Sequence, residues 1–171
     1  NENIDAVIAV GGDGTVNECL KGLVNTNTAL GVIPCGSGNG FAYHIGMNPN
    51  IEKAVKQLKD IHIKHIDTCT ANGVPFVNVS GIGFDAHIAN LFLNLTERGF
   101  VKYAKFILRE LNYNAKKYTI NYNNIERKVT AYMIAFANSS QYGNDAKISP
   151  KADFKDGLID FVIVKDFPKW K

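Results

Sequence analysis

Gly11-Gly12-Asp13-Gly14-Thr15 stands between an apolar run, Ala6-Val7-Ile8-Ala9-Val10, and the stretch Val16-Asn17-Glu18-Cys19-Leu20. A buried strand, a glycine-dense turn and a helix start form an anion-holding arrangement. Glycines let the backbone come close to the ligand, and the helix start offers unpaired N–H groups with partial positive charge. Thr15 and Glu18 have capping-box spacing, which predicts the helix start there. Asp13 breaks the pattern: an acid among phosphates repels them unless it handles a metal or takes a proton. The spacing excludes a Walker loop, because no Lys-Ser or Lys-Thr follows Gly14. It also excludes the dinucleotide fingerprint, because Gly12-Asp13-Gly14-Thr15-Val16-Asn17 lacks the last glycine.

A second strand and loop follow. Leu30-Gly31-Val32-Ile33-Pro34 reads as a short buried strand, and Cys35-Gly36-Ser37-Gly38-Asn39-Gly40-Phe41-Ala42 as a glycine-rich entry to a helix. Two such loops after neighbouring strands can face one ligand at the carboxyl ends of an open α/β sheet. Together they resemble the lipid kinase family of diacylglycerol kinases, sphingosine kinases and their bacterial relatives. The first loop also occurs in NAD kinases and phosphofructokinases. Two later stretches are similar to that family too: Asn78-Val79-Ser80-Gly81-Ile82-Gly83-Phe84-Asp85-Ala86, and Pro150-Lys151-Ala152-Asp153-Phe154-Lys155-Asp156-Gly157-Leu158-Ile159-Asp160.

The resemblance implies a fold of two parts. The first, residues 1–60, is a partial α/β nucleotide-binding domain like that of NAD kinases and phosphofructokinases. The second, residues 61–171, is mostly antiparallel β with a helical insertion. It implies transfer of the ATP γ-phosphoryl group to a lipid alcohol, with Mg²⁺ neutralising charge. Gly11, Gly12, Asp13, Gly14, Thr15, Asn17, Gly36, Ser37 and Asn39 become the candidate nucleotide residues. Turn formation and helix capping compete as roles for Thr15, Asn17, Ser37 and Asn39. Asp13 is the candidate catalytic residue, as an organiser of Mg²⁺ or as the base for the lipid hydroxyl. A plain turn-capping acid is disfavoured in a loop already rich in glycine. Asp156, with the carbonyls of Asp153 and Leu158, would hold a structural Mg²⁺, oxygen donors of the kind hard cations take. An ordinary Asp-Gly turn is the competing reading. The rivals to a lipid kinase are an NAD kinase-like enzyme and a non-catalytic nucleotide- or lipid-binding regulator.

Composition sets the remaining bounds. With 46% hydrophobic and 20% charged residues the chain suits one or two small cores. A net charge of +3 is too weak to argue for nucleic acid. Cys19, Cys35 and Cys69 are odd in number and widely spaced, as in reduced thiols of a cytosolic protein. The apolar runs fall well short of the roughly 20 residues that span a bilayer. Lys102, Lys105 and Arg109 share a helical face, a solvated face that would also suit peripheral contact with a membrane. Association with a second copy stays open. The opening strand, the missing initiator methionine and the absence of the family's Asp-Gly-Glu segment predict a fragment, inactive as a kinase on its own.

Along the chain, Asn50 predicts a capped helix over 51–59. Ile61, Ile63 and Ile66 predict a strand, and Asn72-Gly73 a hairpin turn. Helices are expected over 85–95 and 99–113, a hairpin of 118–122 with 125–137 about Asn123-Asn124, and a late strand over 158–164.

Overall fold

The computed structural model describes residues 4–60, 62–93, 105 and 107–167. They group into two compact units: residues 1–80 with 137–160, and residues 81–136 with 161–171. The expected division near residue 60 is a single cut, whereas the chain leaves the first unit after residue 80 and rejoins it at residue 137.

In the first unit, β1 (Ala6–Gly11) pairs in parallel with β2 (Ala29–Pro34), in a register running from Ala6 opposite Ala29 to Gly11 opposite Pro34. The connection is α1 (Asp13–Leu23), which buries Val16 and Leu20. These pack with Ala9, Val32, Phe41, Ala42 and Val77 into one core. Alternation explains the strand faces: Ala9 and Val32 point into this core, while Ile8 and Val10 are exposed. α2 (Gly40–His44) is short, and α3 (Ile51–Gln57) follows Asn50, whose side chain accepts the Lys53 N–H at 3.1 Å.

β3 (Cys69–Ala71) and β4 (Val74–Phe76) form an antiparallel hairpin. Its turn, Asn72 and Gly73, has φ of 50° and 79°, the left-handed pair that a two-residue hairpin needs. The strand expected from Ile63 and Ile66 does not form, and Ile61 lies outside the described residues. Residues 62–68 have no regular structure and Ile63 is 74% exposed. The Asp67 N–H bonds to the Phe154 carbonyl at 2.6 Å instead of to a partner strand.

The second unit holds a three-stranded sheet of order β5-β8-β9: β5 (Val79–Gly83), β8 (Met133–Ala137) and β9 (Asp160–Val164). α4 (Phe84–Leu93) follows β5. β6 (Lys116–Tyr122) and β7 (Ile125–Ala131) make a hairpin about Asn123 and Asn124, both at positive φ. The strand expected to run unbroken over 125–137 is split at Tyr132. There the backbone changes partners, donating to the Val164 carbonyl at 2.8 Å and accepting from the Phe84 N–H at 3.0 Å. Phe84, Ile88 and Tyr132 form the core, with Tyr113, Met133 and Val164 against it. Of the helix expected over 99–113, residues 99–104, Lys102 among them, and 106 lie outside the described residues; residues 105 and 107–109 are helical, as expected, and Glu110–Asn112 close the segment as a 3-10 turn.

Candidate nucleotide site

Both glycine loops belong to the first unit and follow the carboxyl ends of β1 and β2. The loops meet backbone to backbone. A Cβ added at Gly36 would lie 2.3 Å from the Gly12 Cα, so neither position accepts a side chain without displacing main chain. The Cys35 N–H donates to the Gly11 carbonyl at 3.0 Å, which extends the parallel ladder into the loops.

α1 begins at Asp13, not at Thr15 as the capping-box spacing predicted. Gly12 is the N-cap and no side chain caps the helix. Thr15 lies inside the first turn, against Gly11, and Glu18 pairs with Lys21 at 2.6 Å. Gly12 is in extended backbone at φ -97°, so the early start rests on the missing Cβ atoms: one at Gly11 would collide with Thr15 and one at Gly12 would press on Gly36. The first bond of the helix is Val16 N–H to the Gly12 carbonyl, at 3.1 Å. The N–H groups of Asp13, Gly14 and Thr15 therefore precede any intrahelical acceptor. Gly14 and Thr15 are exposed, and a Cβ at Gly14 would meet nothing within 4 Å. Asn17 is half-buried in the next turn.

The start of α2 is filled. Asp13 accepts the Gly40 N–H with Oδ2 and the Phe41 N–H with Oδ1, each at 3.0 Å. It also accepts from the Asn78 amide at 3.1 Å. The capping role disfavoured from sequence is thus one that Asp13 performs, for the neighbouring helix and not for its own loop. The reason is tertiary: Asp13 lies 27 residues from Gly40 in sequence, and only the parallel pairing of β1 and β2 brings them together. Asn39, in the left-handed region at φ 58°, accepts the Gly36 N–H and donates to the Gly36 carbonyl, each at 2.8 Å. Its side chain closes the loop, which is the turn-forming role weighed above. Ser37 is half-buried, and its carbonyl accepts from the Asn144 amide at 2.5 Å.

That last contact belongs to a third wall of the site. Residues 138–147 return beside the second loop, with an isolated bridge between Asn39 and Gly143. A Cβ at Gly143, where φ is 120°, would stand 2.1 Å from the Gly38 carbonyl oxygen. Ser139 donates its hydroxyl to the Asn78 side-chain oxygen, Oδ1. His44, at the end of α2, accepts the Ser140 N–H at 3.2 Å through Nδ1, which also lies 2.9 Å from the Ser140 hydroxyl. The His44 ring meets Phe154 edge-on at 4.6 Å. Burial lowers the His44 pKa from 6.5, with Asp153 pulling the other way. In sequence, Asn138-Ser139-Ser140-Gln141 after a buried strand reads as an ordinary turn, so this wall was missed.

The carboxylates of the proposed metal turn are exposed, and the turn meets the site's third wall through Phe154 against His44. Asp153 Oδ1 accepts the Lys155 N–H at 3.0 Å, and Asp156 Oδ1 accepts the Leu158 N–H at 2.9 Å. Asp67, unremarked in sequence, accepts the Gly157 N–H at 2.8 Å. Gly157 itself has φ of 72°. Among the described residues no three His, Cys, Asp or Glu side chains converge as a metal cage. The three cysteines are free thiols, as expected.

These features define an α/β protein with a paired glycine-loop site. Residues 1–71 match the Diacylglycerol kinase catalytic domain, and residues 78–171 the YegS C-terminal NAD kinase beta sandwich-like domain. The chain belongs to the diacylglycerol kinase-like lipid kinase family. A protein of Chromohalobacter salexigens named "Probable lipid kinase YegS-like" is 33% identical over 96% of this chain and 55% of its own length. A diacylglycerol kinase of Mycobacterium tuberculosis is 30% identical over 98% of this chain and 57% of its own. A crystal structure of a diacylglycerol kinase from Bacillus anthracis superposes with a TM-score of 0.74 at 28% identity, covering 95% of this chain and 57% of that one. The chain thus spans little more than half the length of the curated relatives it matches. Among the described residues no helix is long and apolar enough to cross a membrane.

Proposed function

We propose that the protein is an ATP-dependent kinase acting on a lipid hydroxyl, with the phosphates seated on the first turn of α1. One observation carries this reading: the N–H groups of Asp13, Gly14 and Thr15 have no intrahelical acceptor, Gly14 and Thr15 are exposed, and Asp13 occupies the start of α2. Of the two helix starts, only that of α1 is left for an anion. Gly12 and Gly36 set the approach of the two loops, and Gly14 leaves room over the open N–H groups. Ser37 and Asn39 shape the second loop. Nucleotide-bound Mg²⁺ would supply charge neutralisation at the transferred group.

Asp13 is placed for either proposed role in this scheme, organiser of Mg²⁺ or base for the lipid hydroxyl. Its carboxylate already holds the two loops together through three donors. A lone pair is left for a metal-bound water or a substrate hydroxyl. The turn over Asp153, Asp156 and Leu158 fits a structural Mg²⁺ by its donor chemistry. Each aspartate uses one oxygen within the turn and keeps the other, and main-chain carbonyls and water would complete the shell. Asp67 braces the turn by accepting the Gly157 N–H. Its place would be to hold the 153–158 loop, away from phosphoryl transfer. Work at a membrane surface and association between copies belong to the same proposal.

The test is label transfer. Full-length protein is incubated with γ-labelled ATP, Mg²⁺ and a lipid extract, with NAD offered in parallel. Labelled lipid is the expected product. Labelled NADP would give the NAD kinase-like reading, and nucleotide binding without any product would give the non-catalytic one.

A further inference from the structure

Asp13 is the middle of a longer relay. Only the NH₂ side of an amide can face a carboxylate, so Asp13 fixes the orientation of Asn78. The Asn78 Oδ1 is thereby turned to the Ser139 hydroxyl, which donates to it. Ser139 is fully buried. The Asn138 N–H donates to the Asn78 carbonyl at 3.0 Å, so main chain holds the two segments side by side. The Asn138 amide in turn donates to the carbonyls of Asp67 and Val77, at 3.0 and 3.1 Å. The relay runs from the segment after β8, through Asn78, to the first turn of α1, and ends on the Gly40 and Phe41 N–H groups.

Resting on the lipid kinase reading, we infer that Asn78 and Ser139 are positioning residues of the transfer site. They fix the Asp13 carboxylate, and through it the seat of the α2 start on the first loop. Without the Asn78 amide, Asp13 keeps the Gly40 and Phe41 N–H groups but loses one of its three donors. The loops still touch through Gly12 and Gly36, but the Asp13 clamp between them is looser. Misplacement by about 1 Å can cost on the order of a hundredfold in rate. Asn78 acts through Asp13 and not on the nucleotide itself.

Asn78→Asp in the full-length protein is the informative change, because it keeps size and swaps the donor for an acid. Ionised, residue 78 repels Asp13. Two readouts are followed. Hydrogen exchange at the Gly40 and Phe41 amides reports the clamp, whatever the activity. Label transfer to a lipid extract gives kcat and KM for ATP. Near about pH 7.5 the variant should lose protection at both amides, and its kcat should fall about tenfold or more with a smaller change in KM. Ser139→Ala is the second variant, expected to lower protection and kcat in the same direction by a smaller amount. Lost protection with unchanged kcat would overturn the positioning role, as would unchanged protection in both variants. A wild type that labels no lipid would refute the kinase reading and the role with it, while exchange would still show whether the clamp exists.

Discussion

Gly14→Ala separates ligand binding from folding. Residue 14 lies in the first turn of α1, outside the positive-φ region, and its added Cβ would meet nothing within 4 Å. Alanine is favoured over glycine in a helix by up to about 1 kcal/mol. For a protein of this size class that is a rise of about 2–4 °C in Tm. The methyl nevertheless tilts toward the helix N-terminus, the direction in which the Asp13, Gly14 and Thr15 N–H groups point. It would occupy the space a phosphate oxygen needs. A hydrogen bond to a charged group contributes about 1.5–3 kcal/mol. Losing one should weaken the ATP Kd by about tenfold to a hundredfold. Tm and affinity should therefore move in opposite directions. The assay is thermal unfolding and calorimetric titration of Mg²⁺-ATP on full-length wild type and variant. A raised Tm with unchanged Kd would show that the open start of α1 is not where the nucleotide binds.

Gly36→Ala should behave differently, because its Cβ would collide with the Gly12 main chain; a stability loss of about 1–3 kcal/mol is expected in urea unfolding, and an unchanged midpoint would contradict the loop contact. His44 predicts acid sensitivity. Its pKa is lowered in the folded protein, so the unfolded chain takes the proton first, and stability present above about pH 6.5 is lost as pH falls toward the folded value. His44→Gln should flatten that part of the urea-midpoint profile; an unaltered slope would place its origin elsewhere. For Asp156, Asp156→Ala and EDTA should lower Tm by similar amounts without adding to each other, and full additivity would leave a plain Asp-Gly turn.

Local chemistry made much of this fold legible. Asn72-Gly73 and Asn123-Asn124 marked their hairpins because left-handed turns need those residues. Asn50 marked a helix start because its side chain bonds only three residues ahead. The glycine loops marked the candidate site because a Cβ on either would keep the two main chains from touching. What stayed hidden depends on distant segments. Asp13 caps a helix that begins 27 residues later, and Asn78 and Ser139 support it from 61 residues apart. Thr15 and Glu18 had the spacing of a cap, yet the tertiary path through Gly12 started the helix earlier. Tyr132 broke a long apolar run because its backbone found a partner in β9.

The central claim is that ATP phosphates rest on the first turn of α1. Amide chemical shifts of the full-length protein, followed as a non-hydrolysable ATP analogue with Mg²⁺ is added, address it most directly. The largest shifts should fall on Asp13, Gly14 and Thr15, with smaller ones at Ser37 and Gly38. Gly40 and Phe41, already bound to Asp13, should stay protected. Saturable shifts confined to other segments, with residues 13–15 unmoved, would contradict the account.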